Sequence, residues 1–288
     1  MARSAVRYAL TMVLTLASGC ASFGMVSDGT SVSFGPAYAG ELVDAVKLPT
    51  SGTGFFTPRR WRVRGLRYGT DEMVSALIYV GRRIDAELPG DAFAVADMSP
   101  RRGGPSAWHH SHQTGRDADL LFFVTDAEGH PLPPSEMPHF DKNGVGHTHN
   151  GREVHFDVRR NWTLVRAIIE NPLAQAQFIF IADWLKAELL TYATQIGEPT
   201  WLLVAASYIL HQPSDSLVHD DHMHVRVYCA QTDLSLGCLD RGPLRWNKKG
   251  YKYADQIPRR YVGSRMLAVI EAASSQALIA MATLPLRR

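Results

Sequence analysis

The chain has 288 residues, 45% of them hydrophobic, and a formal net charge of +2. This length and composition are enough to bury a sizeable core in one domain or two. The charge balance is mild and the basic clusters, such as Arg101-Arg102, are short, so they are typical of a solvated surface and we expect no nucleic-acid partner.

The first nineteen residues have the layout of an export signal. Arg3 and Arg7 precede an apolar stretch over residues 9–17, which is too short to span a bilayer, and small residues follow. Small residues directly before Cys20 indicate a lipobox, after which the cysteine would be acylated and would anchor the chain to a membrane. The alternative is an ordinary signal cleaved nearby. The chain is exported under either interpretation.

The rest of the chain divides into a tether and one domain. Residues 20–40 are rich in Gly and Ser and lack periodicity, so we expect a flexible tether, followed by one catalytic domain over residues 41–288. Export also gives meaning to the cysteines, because Cys229 and Cys238 remain as a pair once Cys20 is set aside. In an oxidising compartment this pair is expected to form a disulfide, the alternative being two free thiols.

The first predicted helix covers residues 70–88. Thr70 can cap it, Asp71 and Glu72 occupy its first turn, and apolar residues recur on one face until Pro89 and Gly90 end it.

The remaining elements follow from apolar periodicity and from turn residues. In chain order we expect strands over residues 92–98 and 117–124, long loops or a hairpin over 125–150, a helix over 161–170, a strand over 178–182, a short helix from 183, an ambiguous apolar segment over 201–210, a strand over 222–228 and a helical tail over 264–284. Strands and helices do not alternate strictly, which favours an α+β fold with one domain over a parallel α/β sheet.

All twelve histidines lie between His109 and His224, a clustering typical of a metal or acid–base site. In "HMHVRVY" the side chains of His222 and His224 project from one strand face, on the order of 7 Å apart along the strand. Both could bind a metal, or one could bind it while the other handles protons. His219 lies just upstream.

A second stretch, "SHQTGRDADL", supplies His112 in a loop and Asp119 within an apolar strand. Gly115 allows the tight turn between them. An unpaired buried carboxylate is costly, so Asp119 needs a cation or several donors. Asp117 shares its strand face and competes with it, but as the first strand residue we expect Asp117 to meet solvent.

His112, Asp119 and one strand histidine would give two nitrogen ligands and one oxygen ligand. Three protein ligands leave one position open, which is the pattern of catalytic zinc and of amide or ester hydrolysis. Non-haem iron oxygenases also use two histidines and a carboxylate, but their first histidine and carboxylate usually stand closer in sequence, and export disfavours ferrous chemistry.

The pattern H-x-x-G-x-x-x-D followed far downstream by H-x-H resembles that of the LAS metallopeptidases, which include lysostaphin-type enzymes, D-Ala-D-Ala peptidases and the hedgehog fold. "SHQTGRDADL" with "HDDHMHVR" is most similar to the penicillin-insensitive murein endopeptidases, and the resemblance extends from Gly40 to about Cys238. It implies a small central antiparallel sheet, a periplasmic location and cleavage of the D-Ala–diaminopimelate bond in peptidoglycan cross-links. A lipobox would be a departure from the family.

The resemblance also implies roles. His112, Asp119 and His224 correspond to the zinc ligands, His222 to the general base, and His219 to a second catalytic histidine that stabilises the tetrahedral intermediate. A D-Ala-D-Ala-type carboxypeptidase of the same fold is an alternative, disfavoured because no Glu stands before the last histidine. A non-catalytic zinc-containing protein that binds the cell wall is another, although a pure binder does not need the extra histidines.

Five other positions carry open alternatives. His109 is either a partner of the site or a surface histidine, and Trp108 either contacts substrate or packs in its loop. Asp157 is expected to act in a turn or helix start rather than in the site. Asp220 and Asp221 either orient a ligand histidine or are solvated, the latter being the more common case.

The export signal generates a prediction that intact-mass analysis can check. The protein extracted from membranes should lack its first nineteen residues and carry an acyl modification on Cys20. A mature chain that starts elsewhere and has no lipid would refute the lipoprotein interpretation but would leave export standing.

Overall fold

The computed structural model describes residues 29–214 and 216–240 of the chain. The predicted signal, Cys20 and the predicted tail helix lie outside this described part. Within it, no helix is long and apolar enough to cross a lipid bilayer.

Short strands and longer helices make up the described residues, which form an α+β fold as predicted. The helices are α1 Arg59–Arg62, α2 Asp71–Glu87, α3 Val158–Ile169, α4 Asp183–Gln195, α5 Thr200–Ile209 and α6 Gln231–Leu236. The strands are β1 Val32–Phe34, β2 Glu41–Val43, β3 Val46–Lys47, β4 Ser51–Gly52, β5 Phe55–Phe56, β6 Tyr68–Gly69, β7 Phe93–Ala94, β8 Asp117–Leu121, β9 Val124–Thr125, β10 Pro131–Leu132, β11 Val145–His147, β12 Glu153–Phe156, β13 Ala176–Phe180, β14 Leu210–His211 and β15 His222–Val227.

The sheet that carries Asp119, His222 and His224 has four strands in the order β14-β13-β15-β8. Strand β15 runs antiparallel to both β13 and β8, whereas the short β14 runs parallel to β13. The strands predicted over residues 117–124, 178–182 and 222–228 therefore form three neighbours of one small sheet. The strand predicted over residues 92–98 is shorter, because only its first part forms β7 and Val95 contacts β8 through an isolated bridge.

Alternation along β8 and β15 divides the sheet into two faces. The core face carries apolar side chains, namely Ala118, Leu120, Met223, Val225 and Val227. Helix α3 packs against α2, α4 and α5 on this side, and α5 packs on β13. The intervening residues of the same two strands, including Asp119 and His224, point to the opposite face, so packing of the core also sets the position of the polar side chains.

The predicted helices differ from the observed ones mainly at their ends. Helix α2 begins where predicted, with Thr70 Oγ1 accepting a hydrogen bond from the Met73 N–H at 3.3 Å. Helix α3 begins three residues before the predicted start, because Asp157 caps it by accepting from the Arg160 N–H at 2.9 Å. This cap gives Asp157 the helix-start role. The ambiguous apolar segment after Pro199 is helix α5.

The predicted tether extends too far along the chain. Strand β1 pairs with β2, and the buried Ser33 donates its backbone N–H to the Asp233 carboxylate at 2.9 Å. Residues from 31 onward therefore belong to the folded domain. Their Gly and Ser content hid this pairing, because the strand is held by backbone contacts rather than by an apolar face.

The predicted disulfide is confirmed, since Cys229 and Cys238 are bonded. The loop that they close contains α6, and the chain on either side of this loop contacts the buried guanidinium of Arg116, which donates to the carbonyls of Val227 at 3.0 Å and Leu239 at 3.2 Å. Because Arg116 directly precedes β8, the disulfide loop is docked onto the start of that strand.

Candidate functional site

Strand register brings the two sequence motifs together. In the antiparallel pair β15 and β8, His224 lies directly opposite Asp119, and Phe180 of β13 lies on the other side of His224. Asp119 is only 1% exposed and His224 5%. Two residues that are 105 positions apart in the sequence are thus cross-strand neighbours in a buried part of the sheet.

His112 reaches the same point from the loop before β8. Its backbone adopts a left-handed conformation with φ of 64°, which is uncommon for a residue other than glycine. Gly115 completes the turn with φ of 77°, and a Cβ there would approach the Thr70 backbone nitrogen to 2.8 Å. Glycine is therefore required at this turn for two reasons: the backbone has a positive φ, and a side chain would clash with its neighbours.

The three predicted ligand atoms form a nearly equilateral triangle. His112 Nε2 lies 3.2 Å from Asp119 Oδ1 and 3.2 Å from His224 Nδ1, and His224 Nδ1 lies 3.1 Å from Asp119 Oδ1. Ligand atoms that hold a zinc ion tetrahedrally at about 2.0–2.2 Å stand about 3.3–3.6 Å apart, close to these separations.

In the His112 and His224 rings, the nitrogen that points away from the triangle is hydrogen-bonded, and this bond determines which ring nitrogen carries the proton. His112 Nδ1 lies 3.1 Å from the Met98 carbonyl oxygen, and His224 Nε2 lies 2.9 Å from the Asp117 carboxylate. Both partners can only accept, so these nitrogens carry the protons and donate. When each ring carries this single proton, its inner nitrogen presents a lone pair to the other ring and to Asp119 Oδ1.

This convergence fits a metal ion. Asp119 Oδ1 is buried and has no hydrogen-bond partner among the residues that the structure describes. Three electron-rich atoms at 3.1–3.2 Å without a proton between them repel one another, and a cation removes the repulsion. Two imidazole nitrogens and one carboxylate oxygen are a donor set that suits zinc.

The two remaining predicted site residues, His222 and His219, lie beside the triangle. His222 Nε2 is 3.4 Å from Asp119 Oδ1, and the His219 ring centroid is 5.2 Å from that of His222 and 5.8 Å from that of His224. All five predicted residues are therefore brought into one cluster.

The environments of these two histidines set opposite charge preferences. Burial lowers the pKa of His219 to about 3, and the neighbouring imidazoles add to the effect, so this ring is neutral at physiological pH. Burial also disfavours charge on His222, but the Asp119 and Asp221 carboxylates outweigh it and raise its pKa to about 10. A cation bound to Asp119 would compensate one of these carboxylates and would so oppose the rise in the pKa of His222.

Asp117 corrects one prediction. Instead of meeting solvent at the start of its strand, its side chain is fully buried. It accepts hydrogen bonds from Arg226 Nε at 2.6 Å, His224 Nε2 at 2.9 Å and the His112 backbone N–H at 3.3 Å. Burial alone would raise the pKa of Asp117, but Arg226 and His224 hold it far below its usual range. Strand register explains the error, because Arg226 lies opposite Asp117.

His109 joins the cluster although sequence reasoning left its role open. Its Nε2 lies 2.9 Å from the buried Asp97 carboxylate, and its Nδ1 lies 3.6 Å from Asp119 Oδ2. Its ring also lies against that of His112, with the centroids 4.2 Å apart and the planes tilted by 32°. Its place three residues before His112 was the available signal, but Asp97 comes from a different segment and could not be assigned as its partner.

Three residues of the cluster, His219, His222 and His224, line an open cleft of about 610 Å³. One wall carries Tyr38 and Trp108, and another carries Leu217, Val218 and other residues before β15. Trp108 is 59% exposed and stacks under the Arg64 guanidinium at 4.0 Å, so it both packs in its loop and lines the cleft.

Fold and cluster define a candidate metallopeptidase, an α+β protein with a two-histidine, one-carboxylate triangle in a cleft. The family model described as penicillin-insensitive murein endopeptidase matches residues 33–251, and the chain belongs to this family. A penicillin-insensitive murein endopeptidase of Haemophilus influenzae is 27% identical over 209 residues, which cover 70% of this chain. The chain spans 65% of the length of that relative.

The buried carboxylate of Asp117 generates a stability prediction. Asp117→Asn should destabilise the metal-free protein by about 3–5 kcal/mol, because Arg226 would keep a buried charge without its partner. Urea unfolding at neutral pH measures the difference, with the exposed Glu153→Gln as a control that should change stability by no more than about 0.5 kcal/mol.

The pH dependence of this difference has a defined sign. The folded-state pKa of Asp117 is depressed below its ordinary value of 3.8, so its stabilisation is complete above that value and is lost as the pH falls. The gap between the wild type and Asp117→Asn should therefore shrink below about pH 4. A gap that is absent at neutral pH would contradict the ion-pair interpretation.

Proposed function

We propose that the protein is a zinc-dependent murein endopeptidase that hydrolyses the D-Ala–diaminopimelate amide cross-links of peptidoglycan in the periplasm. The observation that carries this proposal is the triangle of His112, Asp119 and His224, with three lone-pair-bearing atoms around one buried point. Family membership supports peptide bonds of murein as the substrate class.

The three triangle residues would hold the zinc ion, and Asp117 and the Met98 carbonyl would orient its imidazole ligands. When bound there, zinc polarises the scissile carbonyl and lowers the pKa of a water molecule towards neutrality. The side chains around the triangle must then position the substrate and move the proton.

His222 is suited to move that proton. Its Nε2 lies 3.4 Å from Asp119 Oδ1, on the cleft side of the triangle, and its other nitrogen is held by Asp221. It can accept a proton at Nε2 from the attacking water and pass it to the leaving amine.

His219 is suited to a different task. Its low pKa keeps it neutral, so it can donate a hydrogen bond without carrying a charge of its own. We assign it to the negative charge that develops on the substrate carbonyl oxygen, where a preorganised donor is most effective.

Export and lipid anchorage belong to the same proposal. Peptidoglycan lies outside the cytoplasm, and the Cys229–Cys238 disulfide is compatible with an oxidising compartment. Cys20, at the end of the signal-like segment, would place the domain at a membrane surface next to its substrate.

The metal assignment leads to a prediction on zinc content. The purified protein should bind about one zinc ion, and His112→Ala and His224→Ala should each lose most of it, because each removes one of three ligands. Elemental analysis measures the content, and His155→Ala, an exposed histidine paired with Glu153, is the matched control. Full retention of zinc in either triangle variant would refute the ligand set.

The role of His222 leads to a prediction on catalysis. His222→Ala should keep its fold and zinc but lose activity by roughly 10²-fold or more, the usual scale for a positioned general base. Mass analysis of cross-linked dimeric muropeptides incubated with each protein measures this loss, and the monomers released identify the bond cleaved.

Other outcomes of the same experiment have defined meanings. Loss of zinc together with activity would make His222 a ligand, and full activity would make His219 the leading candidate for the base. Release of a terminal D-Ala without cleavage of the cross-link would indicate a carboxypeptidase. Zinc binding by a wild type that leaves every muropeptide intact would indicate a cell-wall-binding protein.

A further inference from the structure

Asp221 faces the nitrogen of His222 that points away from the cluster. Its Oδ1 lies 2.7 Å from His222 Nδ1, and the exposed fractions of the two side chains are 21% and 17%. A carboxylate only accepts hydrogen bonds, so Nδ1 of His222 must be the donor. The pair is partly shielded from water, which strengthens this charge-assisted hydrogen bond.

This hydrogen bond determines where the lone pair of the neutral ring lies. With the proton on Nδ1, the lone pair is on Nε2, the atom that faces Asp119 Oδ1 at 3.4 Å. The opposite tautomer would direct an N–H into the cluster and leave Nδ1 unable to donate to Asp221. Only the first arrangement can accept a proton at the point where His112, Asp119 and His224 converge.

We propose that Asp221 is a positioning residue that fixes the ring orientation and tautomer of His222, so that Nε2 is the proton acceptor of the reaction. This inference rests on the proposed function and extends it to a residue that does not touch the three ligand atoms. We expect the loss of Asp221 to lower kcat by about 10- to 100-fold, which is the usual effect of removing a residue that hydrogen-bonds a functional histidine and orients its ring.

The backbone that carries Asp221 is held on both sides of the cleft floor. The carbonyl of His219 accepts from the Ala182 N–H at 2.7 Å, and the carbonyl of Asp220 accepts from the Phe140 N–H at 2.9 Å. Strand β15 begins at the next residue and pairs there with Leu121. Asp221 is therefore mounted on an anchored segment, as a positioning carboxylate requires.

The preceding acid provides a natural comparison. Asp220 points to the outer rim, where its Oδ1 lies 2.6 Å from Nδ1 of the exposed His139. The two neighbouring acids thus carry the same charge and each binds a histidine, but only the Asp221 partner is next to the triangle. Removal of Asp220 takes an equal charge from the same segment but leaves the Asp221–His222 hydrogen bond in place, so Asp220→Ala controls for the loss of a neighbouring acid.

The test compares Asp221→Ala, Asp221→Asn and the control Asp220→Ala in the zinc-loaded protein. Asp221→Ala should lower kcat by about 10- to 100-fold on dimeric muropeptide with little change in KM and no loss of zinc. Asp221→Asn should recover part of the loss, because its amide oxygen can still accept from Nδ1–H. Asp220→Ala should keep the kcat of the wild type.

A second readout does not depend on activity. Ring ¹⁵N NMR of His222 in the zinc-loaded proteins, at a pH where the ring is neutral, should show the proton on Nδ1 in the wild type and in Asp221→Asn, and a shift towards Nε2–H in Asp221→Ala. A wild type that shows this tautomer but cleaves no muropeptide would refute the proposed function and leave the positioning of the ring standing.

Several results would overturn the inference. For Asp221→Ala, these are an unchanged kcat, an unchanged tautomer of His222 or a loss of zinc. For Asp221→Asn, the contradicting result is a kcat no higher than that of Asp221→Ala. For Asp220→Ala, it is a loss of kcat equal to that of Asp221→Ala. If Asp221→Ala does not fold, Asp221→Asn decides alone. Its His222 must keep the Nδ1–H tautomer, and a ring protonated mainly at Nε2 refutes the proposal.

Discussion

The structure depends on one unfavourable feature, the buried carboxylate oxygen of Asp119 that faces two imidazole lone pairs. Such an arrangement is costly in the absence of a cation, because burial weakens the solvation of the charge and no hydrogen-bond donor among the described residues is placed on that oxygen. The surrounding groups maintain the arrangement rather than relieve it. Asp117 and the Met98 carbonyl hold the outer nitrogens of the two histidines, so neither ring can turn a proton towards Asp119.

The same two strands build the hydrophobic core and the cluster. Alternate residues of β8 and β15 pack against the helices, and the residues between them carry the acids and histidines. A change in strand register would displace both sets at once, which makes the geometry of the cluster as resistant to deformation as the core. The ion pair of Asp117 with Arg226 reinforces this register from the polar face, and the docking of the disulfide loop on Arg116 supports the start of β8.

The histidines of the cluster differ in the group that contacts the ring nitrogen pointing away from the triangle. His112 and His224 have acceptors that direct lone pairs to the triangle, and His222 has a carboxylate that directs its lone pair towards the same point. His219 has no such partner at Nδ1 within the described residues, and its pKa is depressed. One residue type thus provides candidates for ligand, base and neutral donor, because protonation of an imidazole follows its immediate surroundings.

The sequence by itself determined the α+β class, the approximate positions of the main helices and strands, the disulfide pair and the five residues of the cluster. Most of those features depend on local periodicity, on alternation along a strand and on motif spacing, which are all readable from neighbouring residues, and the disulfide pair depends on the export signal and the number of cysteines. Only the tertiary structure decided the burial of Asp117, the link between His109 and Asp97, the pairing of β1 and the bond between Asp221 and His222. The first three depend on strand register or on contact between separate segments. The bond between Asp221 and His222 depends on which of two adjacent acids points towards the histidine. Spacing along the chain encodes none of these.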